Sequence, residues 1–186
     1  MEVSTIFVIV NESLLSVKYD KYDSDELSRI MNLWNDPIYL FDYFNEHKTD
    51  LFNGFLGNIT IEEAIATTID EANELEQILY EIANSGKSDK TNNLQTLFKP
   101  LDNNEFNIPL HQKSKLKGFS KKSWLRIYAI RIGANMYVIA GAAIKLNRRM
   151  NDREHLKLEL EKLELTKKFL KVCGLLDETD YDFVEL

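Results

Sequence analysis

The sequence predicts an α+β fold, an antiparallel sheet packed by helices, on three observations. Apolar runs at 5–10 and 14–19 have the length and β-branched content of strands. Residues 123–132 and 136–146 are the strongest β signal, rich in Ile, Val and aromatics and broken by Gly133-Ala134-Asn135, which reads as an antiparallel hairpin. Two long stretches, from Thr60 to Ile82 and from Asn151 to Cys173, repeat apolar residues at helical spacing.

Each element carries its own signals. The two amino-terminal strands join at Asn11-Glu12-Ser13. Asp23 stands three residues before Glu26 in a capping-box arrangement, and Leu27, Ile30, Met31 and Trp34 follow at helical spacing. Asp36-Pro37 restarts a helix, Asp as the cap and Pro at the first position, with Leu40, Phe41 and Phe44 as its apolar side. Thr60 and Glu63 open the longest helix, whose stripe is Ile61, Ala64, Ile65, Ala72, Leu75, Ile78, Leu79 and Ile82. Residues 85–93 form a polar loop, and 97–100 and 106–110 read as short strands. Asn151 and Glu154 cap the last helix, which shows Leu156, Leu160, Leu163 and Leu170 on one stripe and stops at Gly174. The tail from Thr179 is an edge strand or loose chain.

With 186 residues, the chain suits one domain: an acidic β-hairpin plus helices over 1–95, then a basic hairpin and a carboxy-terminal helix over 96–186. Hydrophobic content of 44% and charged content of 28% are globular values and exclude a disordered chain. Cys173 is the single cysteine, so no intrachain disulfide forms. The run Ile6-Phe7-Val8-Ile9-Val10 is far short of the ~20 residues that span a bilayer, and no basic signal region precedes it. The expected location is the cytoplasm, with no membrane partner.

Charge is unevenly placed. Residues 1–105 carry 7 Lys/Arg and 20 Asp/Glu, residues 106–153 carry 11 and 1, and residues 154–186 carry 5 and 9. The segments are therefore −13, +10 and −4, which sum to the whole-chain −7. Phosphate attraction is local at physiological screening, so a dense basic stripe binds nucleic acid even on an acidic protein. Self-association of opposite patches, a homo-oligomer, is the competing use.

Most familiar chemistries find no support. The carboxylates Glu62, Glu63, Asp70, Glu71, Glu74 and Glu76 fit the solvated side of an amphipathic helix. Asp20, Asp23 and Asp25 lack the Gly and the terminal Glu of a calcium loop. His47, His111 and His155 have no metal-ligand spacing, and the chain has neither a phosphate-cradling Gly-rich loop nor a Gly-x-Ser-x-Gly turn.

The hairpin is different. Alternation puts Trp124, Arg126, Tyr128 and Ile130 on one face, with Arg131 at the strand's end. The partner strand passes Ala140-Gly141-Ala142-Ala143 across from them. Small residues opposite Arg126 predict a shallow hollow flanked by two rings, suited to a stacked base and a phosphate. Lys113, Lys115, Lys117, Lys121 and Lys122 precede the hairpin in a Gly-containing loop. Lys145, Arg148, Arg149 and Arg153 follow it, and hairpin geometry brings Lys121, Lys122 and Lys145 together.

The order basic loop, Trp124-Leu-Arg-Ile-Tyr strand, turn, apolar strand ending in Lys145, basic turn and helix resembles the toxins of the RelE/HigB superfamily, over roughly residues 98–165. That resemblance implies a RelE-like core and an mRNA endonuclease, ribosome-dependent or free, silenced by a cognate antitoxin. By position, Arg126 is similar to the strand arginine that grips the scissile phosphate region. Lys145 is similar to the lysine ending the next strand. Arg148 falls near the cation that stabilises the pentacoordinate phosphate, and His155 near the acid-base position. The implied reaction is 2′-hydroxyl attack on the adjacent phosphate without metal or cofactor. Two departures stand out: an acidic half that such toxins lack, and Leu146 where HigB-like members often carry a second lysine. A non-catalytic RelE-like module that binds nucleic acid or protein is the alternative.

Overall fold

The computed structural model describes residues 1–53, 59–101, 109–146 and 154–184. It is an α+β architecture whose six-stranded mixed sheet runs in the order β1-β2-β6-β5-β4-β3. The strands are β1 (Val3–Val10), β2 (Leu14–Tyr19), β3 (Lys99–Pro100), β4 (Gln112–Lys117), β5 (Leu125–Arg131) and β6 (Tyr137–Ile144). All neighbours are antiparallel except β2 and β6, which run parallel over Leu14↔Tyr137, Leu15↔Val138 and Ser16↔Ile139.

Helices cover both faces. α1 (Glu26–Trp34), α2 (Pro37–Glu46), α3 (Lys48–Asn53), α4 (Ile61–Ser85) and the short α5 (Leu94–Leu97) come from the acidic half, and α6 (Glu154–Cys173) follows β6. Leu27, Trp34, Phe44, Leu75 and Leu79 join Leu125, Ile127, Ala129 and Ile139 in one apolar cluster. On the other face, Leu156, Leu163 and Leu170 of α6 pack with Leu15, Val17, Tyr128, Ile130 and Val138. The apolar residues of β5 therefore alternate between two helical layers, as a strand buried on both sides must.

Caps fall largely where the sequence put them. Asp36 caps α2 with Pro37 at the first position, and Thr60 and Glu63 form the reciprocal box of α4. Gly174, at φ 81°, ends α6, and the Leu175 amide donates back to the Leu170 carbonyl at 3.0 Å. At α1 the cap is Asp25, not Asp23; its carboxylate accepts from the Leu27 and Ser28 amides. That frees the Glu26 side chain for the interior, where it is fully buried.

Three further expectations change. The lysine-rich segment before the hairpin is not a loop but β4, with Gln112, Ser114 and Leu116 buried and the lysines between them half-buried or exposed. Residues 94–97 turn as α5 before the two-residue β3. The tail Glu178–Phe183 is a 3-10 helix capped by Asp177. The expected strand over 106–110 lies largely, and the Asn151 cap wholly, outside the described residues. Among the described residues no helix is long and apolar enough to cross a membrane.

The hairpin turn also fastens the two halves. The Asn135 side chain donates to Ser13 Oγ (3.0 Å) and the Ala83 carbonyl (3.1 Å) and accepts from the Leu94 amide (3.0 Å). One amide thus satisfies groups of the β1–β2 turn, the end of α4 and the start of α5. Asn135→Ala should cost about 1–3 kcal/mol of unfolding free energy, since it leaves buried donors and acceptors unmet. Leu75→Ala, at the fully buried centre of α4, should cost about 2–5 kcal/mol; urea denaturation measures both.

Candidate functional site

Strand pairing decides which cations meet. On β4, Lys113, Lys115 and Lys117 lie opposite Ile130, Tyr128 and Arg126 of β5, and Arg126 lies opposite Ala143 of β6. Lys117 and Arg126 are thus direct cross-strand neighbours of like charge, an arrangement unfavourable in itself. The Lys117 ammonium donates to the Lys121 carbonyl at 2.8 Å. Arg126 Nη1 donates to the carbonyls of Ser123 (3.0 Å) and Leu125 (2.6 Å). Burial lowers the guanidinium pKa, but from a value so high that it stays cationic. Lys121 and Lys122 are exposed in the turn before β5. The Lys145 amide donates to the Trp124 carbonyl at 2.8 Å, which sets Lys145 beside that turn.

Other sequence-identified cations stand apart. Lys113 pairs with Glu164 of α6, and its hydrogen bond holds that carboxyl below its usual range. Lys115 donates to the Leu101 carbonyl at 3.0 Å. Arg131, at the far end of β5, donates to Gln95 Oε1 at 2.9 Å; five residues of strand separate it from Arg126 by about 17 Å. His155 falls in the first turn of α6, with its side chain outside the described residues, as are Arg148, Arg149 and Arg153.

The expected hollow between two exposed rings does not form. Trp124 is 3% exposed and faces the acidic helices, where its indole donates to Thr68 Oγ1 at 3.0 Å and its ring meets Phe44 edge-on. Tyr128 is 1% exposed on the opposite face, under α6. Trp124 precedes the regular strand, so the alternation that fixes Arg126 and Tyr128 does not extend to it. Both rings are core, unavailable for stacking. The small residues of β6 instead make room for α6: a Cβ on Gly141 would overlap the Glu159 carboxylate and crowd the Lys162 stem.

A second constellation lies around that contact. β2 and β6 pair only as far as Ser16 and Ile139, and charged residues of α1 and α6 meet beyond that point. Lys162, 1% exposed, pairs with Glu26 of α1 and with Glu159 Oε1 at 3.0 Å. Arg29 holds Glu26 through two bonds, Nε to Oε2 at 3.0 Å and Nη2 to Oε1 at 2.7 Å. The Tyr19 hydroxyl lies 2.7 Å from the Ala140 carbonyl, to which it can donate, and 3.1 Å from Thr166 Oγ1. Glu159 Oε2 is buried without a hydrogen-bond partner. Burial pushes the Glu159 carboxyl up to about 7, against the attraction of Lys162. Beside the cluster is a cavity of about 160 Å³ with Trp34, Tyr39, Tyr43, Ala143 and Glu159 in its walls.

The sequence reading missed this cluster. Glu26 looked like a cap residue, and Leu160 looked like core although it is only half-buried while Glu159 is 5% exposed. The available signal was the interval Leu156, Glu159, Leu163, Thr166, Leu170, in which two polar residues occupy positions of the buried stripe. Among the described residues no group of His, Cys, Asp and Glu is placed to hold a metal ion. Comparison of the chain with protein-family models, with curated proteins and with solved structures finds no match.

Two outcomes follow from the cluster. Lys162→Met removes the ammonium between Glu26 and Glu159 and should cost about 3–5 kcal/mol in urea denaturation. Because the folded Glu159 titrates near 7 rather than at its ordinary 4.5, the native state holds a proton that the unfolded chain has released between those values. Its contribution to stability is therefore greatest below that window and falls as pH rises through it. Glu159→Gln should flatten this part of the stability profile, seen by comparing midpoints at pH 5 and pH 8.

Proposed function

We propose that the protein is a RelE/HigB-like toxin of a toxin–antitoxin system, an mRNA interferase acting at the basic end of its sheet. The observation that carries the reading is the direct pairing of Lys117 with Arg126, at the end of the sheet where Lys121, Lys122 and Lys145 also gather. Like charges held side by side repel, and an anionic backbone offsets that cost. In the proposed reaction the 2′-oxygen bonds to phosphorus as the bond to the 5′-oxygen breaks. A base takes the 2′ proton and the leaving oxygen is protonated. Arg126 and Lys145 hold the phosphoryl oxygens, Arg148 adds charge to the transition state, and His155 serves as the acid-base group. No metal or cofactor enters. The substrate is mRNA, on the ribosome or free, and a cognate antitoxin silences the protein.

One observation favours the alternative, a non-catalytic RelE-like module. Leu146, at the position where HigB-like members often carry a second lysine, is 3% exposed in the core and presents no charge.

Induced expression of the wild type should arrest growth and cleave translated mRNA. Arg126→Ala combined with Lys145→Ala should abolish both while keeping the thermal midpoint within a few degrees. A folded wild type that does neither would leave only the binding module. RNA affinity measured against salt should fall steeply, with a log–log slope of about −3.5 if the five cations each contact a phosphate of a single strand; a flat response would exclude nucleic acid altogether.

A further inference from the structure

We propose that β1 is the surface on which a second copy of this chain docks, joining two six-stranded sheets edge to edge about a two-fold axis. The inference stands apart from the RNA reading, since β2 and β6 separate β1 from the strand that carries Arg126. Edge chemistry, exposed side chains and charge support it.

Among the described residues β1 pairs on one side only, with β2. Alternate residues of an antiparallel strand turn their N–H and C=O away from the neighbour. β1 therefore presents a row of main-chain donors and acceptors to solvent. Natural edges of this kind are guarded by charge, by proline, by shortness or by bulges. Val3–Val10 is eight residues long and holds neither a charge nor a proline. What guards it is a pair of register irregularities, between Val3 and Thr5 and between Val8 and Val10. Between them, Thr5 to Val8 runs in regular register against Lys18 to Leu15 and leaves a straight stretch open to pairing.

The side chains of that stretch point to the same partner. Phe7 is 42% and Val8 46% exposed, and as successive strand residues they lie on opposite faces. Ile6 packs with the α6 layer and Ile9 against the acidic helices, so both layers reach β1 and still leave its middle bare. A two-fold axis normal to the sheet keeps each face continuous, and only residues of the same face can then meet. Centred on Phe7, it sets Phe7 against its own counterpart and Val8 against Ile6 of the second copy. Both exposed side chains gain an apolar neighbour while the two main-chain rows pair, the mode by which an edge strand accepts another strand. Charge agrees. Two chains of −7 repel, and an uncharged strand lets them meet without like charges face to face. Glu2 and Glu12 flank the strand outside the two irregularities, so the repulsion that is left is between carboxylates and is screened by salt.

The test is analytical ultracentrifugation of the whole protein over a concentration series. The wild type should pass from monomer to dimer as concentration rises, and the dimer should tighten with added salt. Phe7→Lys sets two ammonium groups opposite each other and should stay monomeric over the same range with an unchanged circular dichroism spectrum. Phe7→Glu should do the same. An equal mixture of the two should return to the dimer, because the axis then sets ammonium against carboxylate. Hydrogen exchange of the wild type decides the matter if a variant does not fold: amides of Val3–Val10 should exchange more slowly at high concentration than at low. A wild type that is monomeric throughout, a dimer untouched by Phe7→Lys, or concentration-dependent protection that leaves β1 out each overturns the proposal. A dimer that salt dissociates overturns it as well, since contact between the acidic and basic segments would behave that way.

Discussion

A lysine ammonium with 1% of its surface exposed must be neutralised where it stands, and Lys162 is neutralised from two helices at once. Glu26 comes from α1 on one side of the sheet and Glu159 from α6 itself. The meeting is possible because β2 and β6 share only three paired residues before α1 takes the place beside β6. Gly141 is then obligatory, since a side chain there would occupy the volume of the Glu159 carboxylate. The Tyr19 hydroxyl, with carbonyls of both Ala140 and Lys162 in reach, seals the same place from β2. A buried ion pair adds little stability over an apolar filling of equal shape, because desolvation offsets the Coulomb gain. What it does fix here is arrangement. Only one rotation and one height of α6 set Glu159 over Gly141 while Lys162 reaches Glu26, so the acidic half and the basic half dock in a single way.

Much of the fold was legible because local chemistry and tertiary packing agree. Asp36-Pro37, the Thr60 and Glu63 box, Gly174 and the 133–135 turn each act within a few residues, and each falls where expected. β4 was hidden because its alternate residues are lysines, whose stems lie along the sheet while their ammonium groups reach water or carbonyls. Counted by composition the segment is polar; counted by period its inward positions are Gln112, Ser114 and Leu116. The parallel pairing of β2 with β6 could not be read locally, since strands more than a hundred residues apart form it. Trp124 was misplaced for a smaller reason. Alternation applies only inside the regular strand, and β5 begins at Leu125.

The candidate site was legible in its cations and illegible in its carboxylates. Lys117, Lys121, Lys122, Arg126 and Lys145 do gather at one end of the sheet, because a hairpin returns the chain to its start and β4 adds a third strand beside it. Nothing in a single polar residue announces burial, so Glu26 and Glu159 resembled the solvated carboxylates around them. Of the acidic face read on α4, Glu71 also proves buried, with Oε2 unpartnered, while Glu62, Glu63, Asp70 and Glu74 are exposed.

How the cations are held bears on their use. Lys113 meets the Glu164 carboxylate, and the charge of that pair is cancelled on the surface. Lys117 and Arg126 donate instead to main-chain carbonyls of residues 121, 123 and 125. A carbonyl fixes the donor and satisfies one of its N–H groups, yet leaves the net positive charge in place. The acidic helices, which carry most of the chain's negative charge, lie largely against the face of the sheet away from α6, and of their carboxylates Glu71 of α4 comes near this end, close to Gly118 and within electrostatic reach of Arg126. Cations fixed in place a strand apart stabilise charge developing on a phosphoryl group, because no reorganisation is needed when the charge appears. From Lys117 through Arg126 to Ala143 the pairing continues without a gap into the wall of the cavity.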